Sequence, residues 1–266
     1  MQRAIVFLTV QPSPECILFA EELQRAGHTV FLAIDDPTYD ARKLPFATIQ
    51  YSSDLMQAKG YIGLLLPYTA KNRPCAWEKA MYHFCEVAKS YKQVWFLEDD
   101  VFVSSADAFE NINRQYPHAD LVCRANIHSE RSCFWPHWYM VQGKMQKPWY
   151  RSMMCACRLS RKLLNLIATF VEKKKYLCYH EIFFNTLAVQ NNLRIRNPPE
   201  LQGILWRFEW TKHNIQRGCM YHPVKNQSNH PILRKELAMY PRKNQLSKAA
   251  IPNETKLPDA VKIEST

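Results

Sequence analysis

Residues 4–10 form a run of seven in which only Thr9 is polar, the pattern of a parallel strand covered on both faces. Pro12-Ser13-Pro14 then starts a helix: Ser13 is the expected N-cap, Pro14 sits in the first turn, Ile17, Ala20 and Leu23 line the apolar face, and Gly27 stops it. A second β-rich run over residues 28–34 ends in Asp35-Asp36. Together these predict a βαβ unit with a right-handed crossover.

The theme recurs downstream. Trp77, Ala80, Met81, Phe84, Cys85 and Ala88 have helical spacing within residues 74–88. A buried strand over 93–97 runs directly into Glu98-Asp99-Asp100. Ser105 is expected to cap a short helix over 106–115, a strand follows near 121–123, Ser160 caps a helix reaching about 171, and residues 181–190 form another. Residues 131–150 are rich in aromatics and read as an irregular insertion. Beyond about Pro231 the pattern fades into Lys, Asn, Pro and Ser. The fold class expected is therefore α/β: one domain over residues 1–230, Rossmann-like, with a mostly parallel central sheet flanked by helices and ligands at the carboxyl ends of the strands. Residues 231–266 are expected to be a partly disordered arm.

Composition narrows the class. With 266 residues, 47% of them apolar, the chain can bury a core, and six glycines without a period exclude linker and collagen-like architectures. The apolar run at the start is far shorter than the roughly 20 residues that span a bilayer and lacks a small-residue cleavage site, so no transmembrane segment and a cytoplasmic location are expected. Nine cysteines without a Cys-x-x-Cys spacing read as reduced, mostly buried thiols. The net charge of +11 is uneven: residues 141–200 hold 11 Lys/Arg against 3 Asp/Glu, while residues 91–130 hold 3 against 7. One stretch attracts anions and the other cations.

Neither Gly-x-Gly-x-x-Gly nor a phosphate loop is present, so a nucleotide on this sheet would have to be held another way, and a divalent metal on carboxylates is the direct substitute. Three adjacent acids at a strand end repel one another, and a cation relieves that cost. Glu98 and Asp100, two apart, can share a side, and hard oxygen ligands suit Mg²⁺ or Mn²⁺. A solvated, helix-capping turn is the plainer reading of the same triplet.

Val94-Trp95-Phe96-Leu97-Glu98-Asp99-Asp100-Val101-Phe102 resembles the strand and Asp-x-Asp-type metal motif of GT-A fold glycosyltransferases that use nucleotide sugars. Arg158-Leu159-Ser160, His180-Glu181-Ile182-Phe183-Phe184 and Tyr221-His222-Pro223-Val224-Lys225 extend the resemblance in order across about residues 4–230. It implies metal binding by Asp100 and by His222 as a late ligand. It places Glu98, with Asp99 beside it, near the ribose, Lys225 toward the diphosphate, and Asp35 or Asp36 against the base or ribose. Lys79 and Arg73 are candidates for the phosphates. Glu181 is the candidate base that deprotonates an acceptor hydroxyl, favoured as an anion by its helix start.

The activity implied is metal-dependent transfer of a sugar from a nucleotide diphosphate sugar, UDP being the commonest donor, to a glycan or other hydroxyl acceptor, with inversion. Phe134-Trp135-Pro136-His137-Trp138-Tyr139, Trp149, Tyr150, Trp206 and Trp210 offer faces on which sugar rings stack. Each residue also has a structural reading: a turn for Asp35-Asp36, a solvated lysine for Lys79 and Lys225, a helix-dipole acid for Glu181, core for the aromatics. Two alternatives differ in class. A basic, aromatic nucleic-acid-binding module leaves the three acids without a reason, so no nucleic-acid partner is expected. An inactive sugar-binding domain of the same fold is opposed by Asp100, Glu181 and His222 occurring together.

Overall fold

In the computed structural model, which describes residues 2–65 and 74–239, the chain begins with strand β1 (Arg3–Thr9), helix α1 (Pro14–Arg25), β2 (Val30–Ile34) and β3 (Ala47–Ile49). Ser13 caps α1 as expected, its side chain accepting from the Cys16 N–H at 3.0 Å, and Gly27 ends it at φ +88°. Helices α2 (Ser53–Lys59) and α3 (Ala76–Tyr82) follow, α3 widening into a π turn over His83–Val87. Then come β4 (Gln93–Glu98), β5 (Phe102–Val103), α4 (Asp107–Gln115), β6 (Leu121–Val122), β7 (Ile127–His128) and β8 (Tyr150–Arg151). The chain closes with β9 (Ala156–Ser160), α5 (Arg161–Lys174), α6 (His180–Gln190), β10 (Ile195–Arg196), β11 (Gly203–Ile204), β12 (Met220–His222) and α7 (Asn229–Met239).

The central sheet has the order β10-β6-β9-β4-β1-β2-β3, and only β9 runs antiparallel to its neighbours. The expected α/β class, mostly parallel and flanked by helices, is what the chain adopts. Period-2 alternation divides each central strand between two apolar layers. Val94 and Phe96 of β4, with Val6 and Leu8 of β1, face α3, α5 and α6. Trp95 and Leu97, with Ile5 and Phe7, face α1 and α4. Both faces being covered is why residues 4–8 of β1 and 94–97 of β4 are unbroken apolar runs.

Two elements depart from the sequence reading. Ser105 does not cap α4: Ala106 holds the cap position with helical φ and ψ and no side-chain bond, and the Ser105 hydroxyl is buried without a hydrogen-bond partner. The boundary expected at 230 falls inside α7. Leu233 and Leu237 of this helix, one turn apart, bury against Phe102, Tyr221 and Val224, and the Arg234 guanidinium lies 4.1 Å from the Phe19 ring centroid. Residues 231–239 of the expected arm are thus helical, and the rest of it, 240–266, lies outside the described residues. Among the described residues no helix is long and apolar enough to cross a membrane.

Candidate active site

The acidic triplet lies where β4 leaves the sheet, and the strand alternation separates its members. Asp99 continues the α1-facing side: its Oδ2 accepts from the Thr9 hydroxyl of β1 at 2.6 Å, and Gln227 adds a further bond. Burial raises the Asp99 pKa, the Thr9 bond opposes it, and Asp100 adds to it. Glu98 continues the α3-facing side, where Oε1 accepts from the Trp77 indole N–H at 2.8 Å.

The second small sheet, ordered β11-β12-β5, supplies the opposite wall. Tyr221 pairs with Phe102 in antiparallel register, and the Val224 N–H donates to the Asp100 carbonyl at 2.8 Å. This pairing carries His222 back to the triplet. Its Nε2 stands 3.4 Å from Asp100 Oδ1 and 3.9 Å from Glu98 Oε2. Nδ1 lies 2.7 Å from the Leu205 carbonyl, which accepts the ring proton and leaves Nε2 as the nitrogen facing the carboxylates. Asp100 Oδ1 is buried, with His222 Nε2 facing it at 3.4 Å and no close hydrogen bond made. Such a carboxylate oxygen beside an oriented imidazole nitrogen is what a divalent cation would complete, so the residues fit the metal that the resemblance implies. Burial lowers the His222 pKa, but Asp100 and Glu98 outweigh it and the net direction is upward. For Glu98 burial raises the pKa, His222 and Trp77 pull it down, and Asp100 adds to the rise. Glu98 thus shares a cluster with Asp100 and His222.

Glu181 lies in the first turn of α6 and is buried. The Tyr179 hydroxyl bonds its carboxylate, and burial followed by this anion pushes the phenol up. Cys155 ties the two acidic groups together: Glu98, Glu181 and Asp100 all act on its thiol, which burial raises first. From the aromatic insertion, Trp135 stacks on Tyr179 at 6.1 Å and 20°, His137 meets the same ring at 6.0 Å, and the Arg151 guanidinium lies 4.6 Å from the Trp135 centroid. The expected sugar-facing wall splits. Trp138 and Trp149 are core, while Phe134 is 87% exposed and Trp206 is 64% exposed. Trp210 packs behind His222, donating to its carbonyl at 2.9 Å.

The remaining candidates distribute along the same sheet edge. Asp35 follows β2, its N–H donating to the Thr9 carbonyl at 2.9 Å. Lys79 does not face phosphates: it is buried, and Nζ donates to the carbonyls of Ile34 at 3.2 Å and Asp35 at 2.7 Å, with Asp35 Oδ1 at 3.4 Å. An ammonium so enclosed satisfies the open end of β2 and is spent there. Asp36 builds the turn that its sequence context also suggested, Oδ1 accepting from the Thr38 N–H at 2.8 Å and hydroxyl at 2.7 Å, and Oδ2 bonding Gln11. Lys225 is exposed three residues beyond His222. Arg73 lies outside the described residues. Lys173, Lys174 and Lys175 form the exposed end of α5, as the solvated reading has it.

Sequence reading did not single out Cys155, Trp77, Tyr179 or Thr9. Trp77 carries a helical spacing that signals core, which it also serves; Thr9 and Cys155 become neighbours of the acids through strand register, and Tyr179 as the N-cap residue two before Glu181. His180, next to Glu181, is buried neutral with its pKa pushed down to about 4 by burial. Because that value lies below the unfolded one, its contribution to stability is present above about pH 6.5 and is lost as pH falls through about 4. Denaturant titrations across this window should show wild type losing about 1.4 kcal/mol per pH unit more than His180→Gln; parallel slopes would contradict it.

No protein-family profile and no curated protein sequence matches the chain. Among solved structures, mouse xyloside xylosyltransferase 1 in its apo form is similar over 85% of this chain and 98% of its own, with 10% identity and a TM-score of 0.40. A glycosyltransferase involved in glycosylation of the major capsid of PBCV-1 is similar over 90% of this chain and 100% of its own, with 10% identity and a TM-score of 0.33.

Proposed function

We propose that the chain is a metal-dependent glycosyltransferase that moves a sugar from a nucleotide diphosphate sugar, UDP-linked by preference, to a hydroxyl acceptor with inversion. The observation that carries this reading is the meeting, at 3.4 Å, of His222 Nε2, held by its Nδ1 bond to Leu205, with the buried Oδ1 of Asp100, which makes no close hydrogen bond. Asp100 and His222, with Glu98, would hold the divalent cation, Mn²⁺ or Mg²⁺ on carboxylate chemistry. Bound there, it supplies positive charge against that developing on the departing diphosphate.

The chain's own groups supply the rest. Lys225, exposed three residues beyond His222, adds a point charge for the phosphates. Asp35, at the end of β2, is positioned to accept from a ribose hydroxyl. Glu181 takes the acceptor hydroxyl's proton: the helix start favours its anion, and Tyr179 fixes the carboxylate. Trp135 and Tyr179, stacked together next to that base, give the acceptor ring an apolar face. A base and a cation site served by different segments suit a single displacement, in which the acceptor oxygen attacks as the diphosphate leaves. The experiment is nucleotide release from a panel of UDP-, GDP- and dTDP-sugars with simple glycoside acceptors. Release is expected from a UDP-sugar, dependent on divalent cation and stimulated by acceptor; no release from any donor under these conditions would sink the reading.

A further inference from the structure

One group in the cation cluster is not used by this chemistry. Leu97 of β4 pairs with Ala156 of β9, and the Glu98 N–H donates to the Cys155 carbonyl at 2.9 Å, so the pairing extends one step to set Glu98 opposite Cys155. Opposed residues of an antiparallel pair project to one face with Cβ atoms about 5 Å apart. Register alone therefore brings the thiol to the carboxylate, and the two are hydrogen-bonded. One ligand atom each from Glu98, Cys155 and His222 lie within 4.8 Å of one another. Cys155 is 4% exposed, whereas the Glu98 and Asp100 side chains keep 27% and 22%, so the cluster is lined by sulfur inside and open on its carboxylate side. The buried Asp100 Oδ1, which makes no close hydrogen bond, and the outward-tied Nδ1 of His222 point to a ligand independently of the thiol. Sulfur, imidazole nitrogen and carboxylate oxygen together are a donor set for zinc-like ions, not for magnesium, which is served by oxygen.

We infer that Cys155 is a direct sulfur ligand of this centre, with Glu98 and His222, and that the site takes a thiophilic divalent cation, zinc or its analogue cobalt, ahead of magnesium. The inference rests on reading the cluster as the cation site for the donor and goes beyond it by assigning the sulfur. On binding, the S–H bond breaks heterolytically: the electron pair stays on sulfur and is shared with the cation, the proton passes to bulk water, and nothing is oxidised or reduced. With Asp100 these make four protein ligands, so an oxygen of the diphosphate would join by expanding the shell to five, as catalytic zinc sites do.

Cobalt titration of the full chain, followed by absorbance, tests the assignment. Wild type should bind one Co²⁺ with a thiolate-to-cobalt charge-transfer band in the near ultraviolet. The band should vanish in Cys155→Ser and in Cys155→Ala and persist in Cys133→Ser, which removes the exposed thiol. Zn²⁺ should displace the cobalt where equimolar Mg²⁺ does not. Zinc affinity in the Cys155 variants should fall by more than the about 10- to 100-fold that loss of an outer-shell partner costs. Cobalt bound to wild type with visible d–d bands but no charge-transfer band would overturn the sulfur assignment and leave the cation site standing. No binding of cobalt, zinc or manganese, with or without UDP, would overturn both, and the wild-type spectrum decides the matter even if the variants fail to fold.

Discussion

Glu181→Gln is expected to lower transfer by about 10²- to 10⁴-fold while leaving affinity for UDP within about twofold. The substitution keeps the size of the side chain and its place in the first turn of α6, and the amide oxygen still accepts from Tyr179. What it removes is the capacity to take a proton from the acceptor. The proposed cation ligands come from β4, the segment after it, the residue before β9 and β12, not from α6, so donor binding has no reason to change. Steady-state kinetics with separate donor titration checks both halves. A variant that transfers at the wild-type rate would show that Glu181 is only the dipole-facing acid of its helix and that the proton leaves by another route.

Asp100→Asn is the second large effect. Its main-chain carbonyl would keep the bond from the Val224 N–H, so the path of the chain between β4 and β5 is preserved. Glu98 loses a like-charged neighbour that raises its pKa, and His222 loses its nearer carboxylate partner, which offset one another in stability. The melting temperature should therefore move little. The lost anion is the one whose buried Oδ1 has the His222 imidazole at 3.4 Å and no close hydrogen bond. Transfer should fall by about 10²- to 10³-fold, comparable to removing a principal electrostatic stabiliser of the transition state, with circular dichroism unchanged. Near-normal turnover at low cation concentration would remove Asp100 from the site.

How much of this was legible in the residues depends on range. The apolar runs of β1, β2 and β4, and the caps at Ser13 and Ser160, are local signals, and each element formed where its pattern lies. The triplet was legible because charge is costly at an apolar strand's end. Its internal division was not, since Asp99 turns to Thr9 only because β1 lies beside β4. Cys155 is an unremarked thiol in sequence and becomes Glu98's partner through the antiparallel insertion of β9 between β4 and β6. Lys79 shows the opposite failure: a helix lysine next to a candidate nucleotide edge invites a phosphate role, but the end of β2 has carbonyls to satisfy and the ammonium goes there. α7 was missed because its apolar contacts are few and widely spaced among polar residues.

The claim beneath all of this is that the cluster at the end of β4 grips the donor's diphosphate through a divalent ion. Calorimetric titration of UDP into the wild-type chain, with Mn²⁺ and then after chelation, measures it directly. The account predicts saturable binding with Mn²⁺ present and none resolvable in the chelated protein, with a ligand at 100 times its dissociation constant adding about 2.7 kcal/mol to the stability of the metal-loaded chain. Equal affinity for UDP with and without the cation would contradict it.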